Sequence, residues 1–421
     1  MSQRFQAPKG VSEYFPPKSA LFERVVRKLE AAALAANYHL AELPVFEDTE
    51  LFTRGVGEST DVVSKEMYTF EDRGGRSLTL RPEGTAGVIR SIIEHSLDRG
   101  QLPVKLYYRG QFFRAERPQA GRFRQFYQFG IEAVGIDDPV LDAEVIAIAH
   151  RGFTSLGLKN FELQITSLGD EASRNLHRAD FLRFVASLNL DEETRARVDK
   201  NPLRLFDDKR REIQSQLEDA PLLINYLSDD SSKKFSQLQS SLNELGIPFK
   251  INPRMVRGLD YYTGTAFEFV HHGLGAQASI GGGGRYDGLM KTLGGQDLSG
   301  IGFGLGIDRI ILAMESEGIG LVTEESGYLD LYLIPIGENA RIRALGLIDE
   351  VRSAGFVADL AFGDRALKGA MKAADKLSAR YVLVIGDEEL ASGAGRIKRM
   401  SDGNEQSVTL DSLIAALKSA I

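Results

Sequence analysis

The sequence contains no cysteine, few histidines and no apolar run long enough to cross a membrane. Without cysteine, disulfide bonds and thiolate-bound zinc are both excluded. No run reaches the ~18 apolar residues that span a bilayer. The first residues, MSQRFQAPKGVSEYF, lack the apolar core of a signal peptide. We therefore predict a cytoplasmic protein without a membrane segment.

Histidine and net charge limit the remaining possibilities. The 6 histidines are not spaced with carboxylates as a metal site would require, so no protein-bound metal is expected. A formal net charge of −8 argues against nucleic-acid binding over the whole surface, but it allows a local basic site. A chain of 421 residues, 43% of them hydrophobic, predicts two or three globular domains.

Changes in composition along the chain predict its domain organisation. Residues 170–248 are rich in Leu, Asp, Glu, Lys and Ser with helical periodicity, which predicts a helical insertion. Beyond a soft boundary at residues 315–328, strands alternate with helices, which predicts a small α/β domain with a mainly parallel sheet. The predicted segments are a catalytic core in two parts, residues 1–169 and 249–322, the insertion at 170–248, and a C-terminal domain at 328–421.

The stretch FFRAERPQAGRFRQFYQ, residues 112–128, concentrates four arginines and one acid. It joins two strand-like runs and predicts a β-hairpin. Because strand side chains alternate between faces, Arg114 and Glu116 should lie beside Gln128 and Glu132. Arginine pairs with phosphate, whereas carboxylates and amides accept bonds from ammonium or imidazole groups. The hairpin suits a ligand that has a phosphate at one end and an amine-type donor at the other. A solvated hairpin with surface ion pairs is the alternative.

Two further motifs combine polar and aromatic residues. In LRPEGTAG, residues 80–87, Glu83 and Thr85 lie where a strand becomes a helix; simple helix capping by Thr85 is the alternative. In RGLDYYTG, residues 257–264, Arg257 is suited to a carboxylate, and the adjacent tyrosines offer hydroxyl groups and flat faces. A buried tyrosine corner is the alternative for the second motif.

Two glycine-rich motifs predict close approach of a ligand to the backbone. ASIGGGGRYDGL, residues 278–289, has four consecutive glycines, and a mobile turn is the alternative. In GIGFGLGIDRI, residues 300–310, alternate glycines leave one strand face bare before a helix that carries Arg309. Such a face could receive a flat base or sugar. Neither the dinucleotide-binding fingerprint nor a P-loop is present.

Taken together, these motifs resemble the class II aminoacyl-tRNA synthetases, and among them the histidyl-tRNA synthetase family, essentially end to end. ELPVFEDTELF, FRAERPQAGRFRQFYQFGIEAVG and GFGLGIDRI resemble the three motifs of the class, while RGLDYY and SIGGGGRYDGL resemble the two that mark histidine as substrate. The resemblance implies an α+β fold: an antiparallel sheet flanked by helices, a helical insertion and a C-terminal α/β anticodon-binding domain. It also implies a homodimer.

The same resemblance implies a histidine–tRNA ligase that uses L-histidine, ATP with Mg²⁺, and tRNA(His). The residues it implies for histidine are Glu83, Thr85 and Gln128 at the α-amino group, Arg257 at the carboxylate, Glu132 and Tyr262 at the imidazole, and Tyr261 and Tyr286 lining the pocket. The residues it implies for ATP are Arg114 at the α-phosphate, Arg309 at the γ-phosphate, and Glu116, Arg122 and Gly304 around the nucleotide. Arg257, Arg114 and Arg309 would serve catalysis.

Basic residues in the last domain predict contact with tRNA. On one helix, a recurrence every three or four residues would form a single basic stripe suited to a phosphate backbone, although a solvated helix face is the alternative. The stripe comprises Arg365, Lys368, Lys372, Lys376 and Arg380. Gln119, in the hairpin loop, is a further candidate for tRNA binding.

Two other functions compete with this interpretation. A synthetase-like regulatory subunit of histidine biosynthesis would typically lack the RGLDYY motif and the C-terminal domain, both of which this chain has. A generic adenylate-forming ligase would not need a basic C-terminal α/β domain.

Overall fold

The computed structural model describes residues 5–57, 60–119, 121–200, 202–208, 210–320, 329–363 and 365–420. The chain divides into two compact units, Met1–Gly320 and Leu321–Ile421. Of the boundary segment predicted at 315–328, residues 321–328 lie outside the described residues.

The first unit contains both strands and helices. Its strands are β1 His39–Leu40, β2 Phe46–Asp48, β3 Tyr68–Glu71, β4 Ser77–Leu80, β5 Val104–Phe113, β6 Gln125–Val134, β7 Phe161–Ser167, β8 Phe249–Ile251, β9 Thr263–His271, β10 Ser279–Arg285 and β11 Gly300–Gly306. Its α-helices are α1 Lys18–Leu34, α2 Thr49–Val56, α3 Thr85–Glu94, α4 Pro139–Ser155, α5 Glu171–Ala186, α6 Glu192–Lys200, α7 Arg211–Gln216, α8 Asp229–Glu244, α9 Leu289–Thr292 and α10 Ile307–Ser316. Short 3₁₀ segments are Leu97–Arg99, Pro202–Asp207, Leu223–Tyr226 and His272–Gln277, and Val62–Glu66 is a π-helical turn.

The large sheet of this unit has the strand order β1-β5-β6-β11-β10-β9-β7-β8. The pairs β1–β5 and β7–β8 are parallel and the interior pairs are antiparallel, as the predicted fold requires. A smaller sheet has the order β2-β4-β3. Of the predicted site residues, Gln128 and Glu132 lie on β6 and Gly304 lies on β11. Most of the others lie in segments that lead into or out of the large sheet, so the sheet is the platform for the site.

The predicted hairpin is confirmed as β5 and β6. Its register pairs Gly110 with Gln128 and Phe112 with Phe126. Pairing continues past the end of β5, because the Arg114 N–H donates to the Arg124 carbonyl at 2.8 Å. The alternation of side chains therefore holds up to the first arginine of the hairpin.

Residues 171–244 are mainly helical where they are described, as their periodicity predicts. Their apolar side chains form a small core of their own around Phe181, Leu205 and Leu217. The Asp170 carboxylate begins α5, accepting bonds from the Ser173 N–H at 2.8 Å and from the Ser228 hydroxyl. This carboxylate thus joins the start of α5 to the start of α8, and these hydrogen bonds lower its pKa.

The second unit is a sheet covered by helices. Its elements are β12 Leu329–Pro335, α11 Glu338–Ser353, β13 Ala358–Leu360, α12 Leu367–Lys376, β14 Ala379–Ile385, α13 Asp387–Ser392, β15 Ala394–Arg399, β16 Glu405–Thr409, a 3₁₀ turn Leu410–Ser412 and α14 Leu413–Ala420. The strand order is β13-β12-β14-β15-β16.

The mainly parallel sheet predicted for this unit is wrong, because the sheet is mixed. Strands β13, β12 and β14 are parallel, whereas β14–β15 and β15–β16 are antiparallel. The connection from β14 to β15 holds only Gly386, the short helix α13 and a left-handed Gly393, φ 64°. A parallel crossover needs a dozen or more residues, so this short connection forces an antiparallel return.

Candidate active site

A cleft enclosing about 740 Å³ of open space lies over the middle of the large sheet. Its lining is rich in arginine and in glycine backbone, and we call it the arginine cleft. The lining residues used below are Arg114, Glu116, Arg122, Gln128, Arg257, Ser279, Gly281, Gly282, Gly304, Gly306 and Arg309. The structure therefore brings the predicted ATP residues together, along with Arg257 and Gln128 from the predicted histidine set.

The bare face predicted on β11 is only half bare. At Gly304 and Gly306 the backbone lines the arginine cleft. At Gly302 an added Cβ would overlap the Glu132 carboxylate, and at Gly300 it would overlap the Tyr286 ring. Two of these glycines therefore make room for the protein's own side chains, and the other two leave space open for a ligand.

The four consecutive glycines lie on β10, so the mobile-turn interpretation is wrong. A Cβ at Gly282 would lie 2.9 Å from Arg257 Nη1, and one at Gly284 would lie 3.0 Å from the Tyr262 ring. At Gly283 it would overlap the Gly302 carbonyl of the neighbouring strand. This glycine run lets the RGLDYY side chains lie against the sheet, beside the backbone that lines the cleft.

Backbone carbonyl groups and one carboxylate hold the arginines of the hairpin and of α10. Arg114 Nε donates to the Pro82 carbonyl at 3.0 Å, and its guanidinium lies 5.4 Å from the centre of the Phe126 ring. Arg309 donates to the Gly121 carbonyl at 2.7 Å and to the Ser279 carbonyl at 2.9 Å. Arg122 forms an ion pair with Glu116.

The arginine side chains in the cleft repel one another. Burial lowers the pKa of Arg309, and the neighbouring Arg114 guanidinium lowers it further. Like charges in a partly desolvated site are unfavourable until a counter-charge arrives. The arginine cleft is therefore suited to a multiply charged anion such as a polyphosphate.

A buried group of carboxylates and tyrosines adjoins the cleft, and we call it the carboxylate cluster. It comprises Glu83, Thr85, Tyr108, Glu132, Tyr261 and Tyr286. Glu83 accepts hydrogen bonds from the Thr85 N–H at 2.7 Å, from the Ala86 N–H at 3.0 Å and from the Tyr261 hydroxyl at 3.3 Å. Glu83 therefore caps α3, and burial raises the pKa of its carboxyl group.

Glu132 is at the centre of the cluster. It accepts hydrogen bonds from the Thr85 hydroxyl at 2.7 Å, from the Tyr286 hydroxyl at 2.7 Å and from the Tyr108 hydroxyl at 3.4 Å. Burial raises its pKa from 4.5 to about 8, even though these donors favour the ionised form. Because the Thr85 hydroxyl donates to Glu132, simple helix capping by Thr85 is wrong.

The residues predicted to bind the substrate histidine therefore lie in two adjacent places. Glu83, Thr85, Glu132, Tyr261 and Tyr286 are linked by hydrogen bonds in the carboxylate cluster. Gln128 and Arg257 line the arginine cleft, and the Arg257 guanidinium lies 5.2 Å from the centre of the Tyr262 ring. Glu132 and Gln128 are paired with Gly302 and Gly306 on the same neighbouring strand, so the two places follow one pair of strands.

The residues predicted for tRNA are only partly on one surface. Gln119 is exposed in the hairpin loop, where its backbone pairs with Arg122. Lys368 and Lys372 are exposed on α12, together with Lys376. The predicted stripe is otherwise wrong. Arg365 precedes α12, and Arg380 lies on β14 with its guanidinium 3.4 Å from Asp330, because the helix is shorter than the charge pattern.

Sequence reasoning missed two acidic residues near the arginines. Asp308 is buried at the start of α10 and accepts bonds from the Tyr14 hydroxyl at 2.6 Å and the Tyr127 N–H at 2.7 Å. Glu268 on β9 contacts Arg257 at 3.3 Å. Asp308 could have been found from the sequence, because it precedes Arg309 in the glycine-rich motif. Glu268 has no such signal in the sequence, and only its contact with Arg257 in the structure identifies it.

An antiparallel sheet carrying an arginine-lined cleft, a strand-loop-strand hairpin and a glycine strand that leads into a helical arginine defines the catalytic unit of class II aminoacyl-tRNA synthetases. A family model described as histidyl-tRNA synthetase matches residues 10–310, and one described as anticodon binding domain matches residues 330–420. Both matches agree with the class that the fold and the cleft indicate.

Known proteins make the assignment narrower. The histidine–tRNA ligase of Saccharopolyspora erythraea is 57% identical over 417 residues, and that of Mycobacterium tuberculosis is 58% identical over 417 residues; both comparisons cover 99% of this chain and 98% or more of the relative. The apo crystal structure of S. aureus histidyl-tRNA synthetase superposes with a TM-score of 0.84 at 36% identity, covering 99% of this chain and 100% of that one. The chain belongs to the histidyl-tRNA synthetase family.

Proposed function

We propose that the protein is a histidine–tRNA ligase. It activates L-histidine with ATP to histidyl-adenylate and pyrophosphate, and it then transfers the histidyl group to the 3′ end of tRNA(His). The observation that carries this proposal is the adjacency of two sites on β6 and β11. One is an arginine cleft suited to a polyphosphate, and the other is a buried carboxylate cluster suited to an imidazole and an amino group.

In the activation step the histidine carboxylate attacks the α-phosphorus of ATP and pyrophosphate leaves. Such a step depends on positioning and on charge stabilisation more than on a strong base. We assign Arg114 to the α-phosphate, Arg309 to the γ-phosphate and Arg257 to the reacting carboxylate. Glu116 and Arg122, already paired with each other, would contact the nucleotide, and Gly304 would let it lie against the sheet.

Recognition of histidine is assigned to the carboxylate cluster and its neighbours. Glu132 and Tyr262 would bond the imidazole, while Glu83, Thr85 and Gln128 would hold the α-amino group beside Tyr261 and Tyr286. A site built to bond the polar groups of its substrate can reject analogues that lack them by about 10⁴–10⁵-fold. Selectivity on this scale would need no editing domain.

We propose that Mg²⁺ enters with ATP. Within the described part of the chain, no group of three or more histidine, aspartate or glutamate side chains could hold a metal ion. Mg²⁺ commonly keeps several waters and binds substrate phosphates with few protein ligands. The ion would therefore neutralise phosphate charge alongside the arginines.

The second unit and the hairpin loop are assigned to tRNA. The basic residues Lys368 and Lys372 are exposed on α12, and Arg365 precedes them. Gln119 lies on the hairpin loop, where its backbone pairs with Arg122 of the arginine cleft. Phosphate contacts of this kind would make tRNA affinity depend on salt. The predicted domain boundaries are part of the same proposal: a catalytic core at 1–169 and 249–322, a helical insertion at 170–248 and a C-terminal domain at 328–421.

A homodimer and a cytoplasmic location, both predicted from the sequence, complete the proposal. Phe46 and Phe70 on the small sheet are 51% and 43% exposed, and an apolar patch of this kind favours a protein interface. Among the described residues, no helix is long and apolar enough to cross a membrane.

The regulatory-subunit alternative is not favoured. The chain matches ligases along its whole length, and Arg257 of the RGLDYY motif lies in the arginine cleft. The test is ATP–pyrophosphate exchange measured with each of the twenty amino acids. We expect exchange with histidine alone, followed by charging of tRNA(His). Exchange with another amino acid, or with none, would contradict the proposal.

A further inference from the structure

A carboxylate beside the arginine cleft has no role in the mechanism above. Glu268 lies on β9 directly opposite Gly282 of β10. Its Oε1 atom accepts a hydrogen bond from the Ser279 hydroxyl at 2.7 Å and from Arg257 Nη1 at 3.3 Å. Because Gly282 has no side chain, Arg257 can cross the strand to reach this carboxylate.

Ser279 extends the same connection to a second arginine. Its carbonyl oxygen accepts a hydrogen bond from Arg309 Nη1 at 2.9 Å. Glu268 and Ser279 therefore link the arginine assigned to the histidine carboxylate with the one assigned to the γ-phosphate. The negative charge of Glu268 also opposes the effects of burial and of Arg114 on the pKa of Arg309.

A buried N–H donor of Arg257 is available to a ligand. Its Nη1 atom is bound to Glu268, whereas its Nε atom is buried without a hydrogen-bond partner in the described structure. Buried donors are rarely left unpaired in folded proteins. A carboxylate or phosphate oxygen of the substrate would pair this donor, provided that Glu268 keeps the guanidinium in its present orientation.

We propose that Glu268, supported by Ser279, is a positioning residue that orients Arg257 and aligns it with Arg309 for adenylate formation. This inference rests on the proposed function. Glu268 does not contact the reacting atoms; it acts through Arg257, so its loss slows the chemical step more than it weakens the binding of ATP.

The first test compares Glu268→Gln with the wild-type protein in histidine-dependent ATP–pyrophosphate exchange. We expect kcat to fall on the order of 100-fold, the scale of an active-site displacement of about 1 Å, with the KM for ATP and the melting temperature little changed. Ser279→Ala should cause a smaller loss of the same kind. Glu162→Gln is the matched control, because Glu162 is a paired carboxylate on β7 of the same sheet.

A double-mutant cycle tests whether Glu268 acts through Arg257. In an Arg257→Ala background, Glu268→Gln should cause no further loss, because residues that act as one unit are not additive. Independent losses would overturn the proposal, as would a higher Mg²⁺ requirement in Glu268→Gln, which would make Glu268 a metal ligand. Wild-type kcat in both Glu268→Gln and Ser279→Ala would contradict this proposal alone, whereas a wild-type protein without histidine-dependent exchange would contradict the proposed function as well.

Discussion

Arg257 is the residue whose removal most directly tests the assigned chemistry. Replacing it with alanine leaves Glu268 without its cationic partner and removes the partner proposed for the substrate carboxylate. Loss of one partner of a buried charge pair costs about 2–5 kcal/mol. We expect histidine-dependent ATP–pyrophosphate exchange to fall accordingly, with the fold intact by circular dichroism.

Arg254→Ala is the matched control for this substitution. Arg254 donates to the carbonyl groups of Leu217 and Glu218 in the predicted insertion, away from the cleft lining. Exchange near the wild-type rate in Arg257→Ala, or an equal loss in both variants, would refute the role assigned to Arg257.

Glu132 should give the protein a distinct dependence of stability on pH. Its pKa rises from 4.5 to about 8 on folding, so the folded protein keeps this proton over a range in which the unfolded chain has lost it. The stabilising contribution of the bound proton is full below about pH 4.5 and is lost as the pH rises toward about 8.

The Glu132→Gln variant has no titrating group at this position. The free energy of unfolding should therefore depend on pH differently in the wild type and in the variant. We expect the free energy of unfolding of the wild type to fall relative to that of the variant between about pH 5 and about pH 8. Urea denaturation at several pH values measures this difference. Parallel pH profiles would show that Glu132 titrates normally.

At the scale of the element, β10 depends on glycine for both packing and function. A Cβ at Gly282 would lie 2.6 Å from the Phe267 carbonyl oxygen and 2.9 Å from Arg257 Nη1. Gly282→Ala should therefore destabilise the protein by about 1–3 kcal/mol, as overpacking does, and displace Arg257. Thermal unfolding and histidine-dependent exchange measure the two effects.

Gly258→Ala provides the comparison, because a Cβ at Gly258 would meet no atom within 4 Å. It should unfold at nearly the wild-type temperature. A Gly282→Ala protein as stable and as active as the wild type would mean that β10 can move away from β9 without cost.

Helix α12 is the element on which the tRNA assignment can be tested. Lys368→Glu combined with Lys372→Glu reverses two exposed charges without touching the arginine cleft. We expect weaker tRNA(His) binding with a salt dependence shallower by about one unit per lost phosphate contact. Pyrophosphate exchange without tRNA should be unchanged.

Lys418→Glu on α14 serves as the control, since it reverses an exposed charge on another helix of the same unit. Equal weakening in both proteins would indicate a general charge effect. Unchanged tRNA affinity in the α12 variant would exclude that helix from the tRNA surface.

At the scale of the whole molecule, the small sheet bears on assembly. The Phe46 and Phe70 rings lie 6.2 Å apart, and Val45, next to Phe46 in the chain, is 41% exposed. If this patch is the dimer interface, Phe46→Glu should place a charge in it and shift the protein toward monomer. Sedimentation at several concentrations measures the change.

Phe362→Glu is the control, because Phe362 is 63% exposed in the second unit. It should leave the oligomeric state unchanged. A Phe46→Glu protein that sediments like the wild type would place the interface elsewhere.

Sequence patterns predicted the structure correctly where it depends on residues that are close together in the chain. The hairpin was predictable because alternation along two adjacent strands placed Arg114 near Gln128, and both line the cleft. The basic stripe failed because charge spacing does not determine where a helix ends, and α12 stops at Lys376. The prediction of a mainly parallel sheet in the second unit was wrong, because it used the alternation of strands and helices and did not consider how short the β14–β15 connection is.

The sequence by itself determined the class of the protein and supplied most of the residues proposed to bind its ligands, because the motif side chains are chemically matched to phosphate, carboxylate and imidazole. Only the tertiary structure decided which glycines face a ligand and which face Glu132 or Tyr286. It also decided that burial raises the pKa of Glu132 and that Glu268 lies against Arg257. These properties depend on desolvation and on contacts between distant segments, which form only when the sheet assembles.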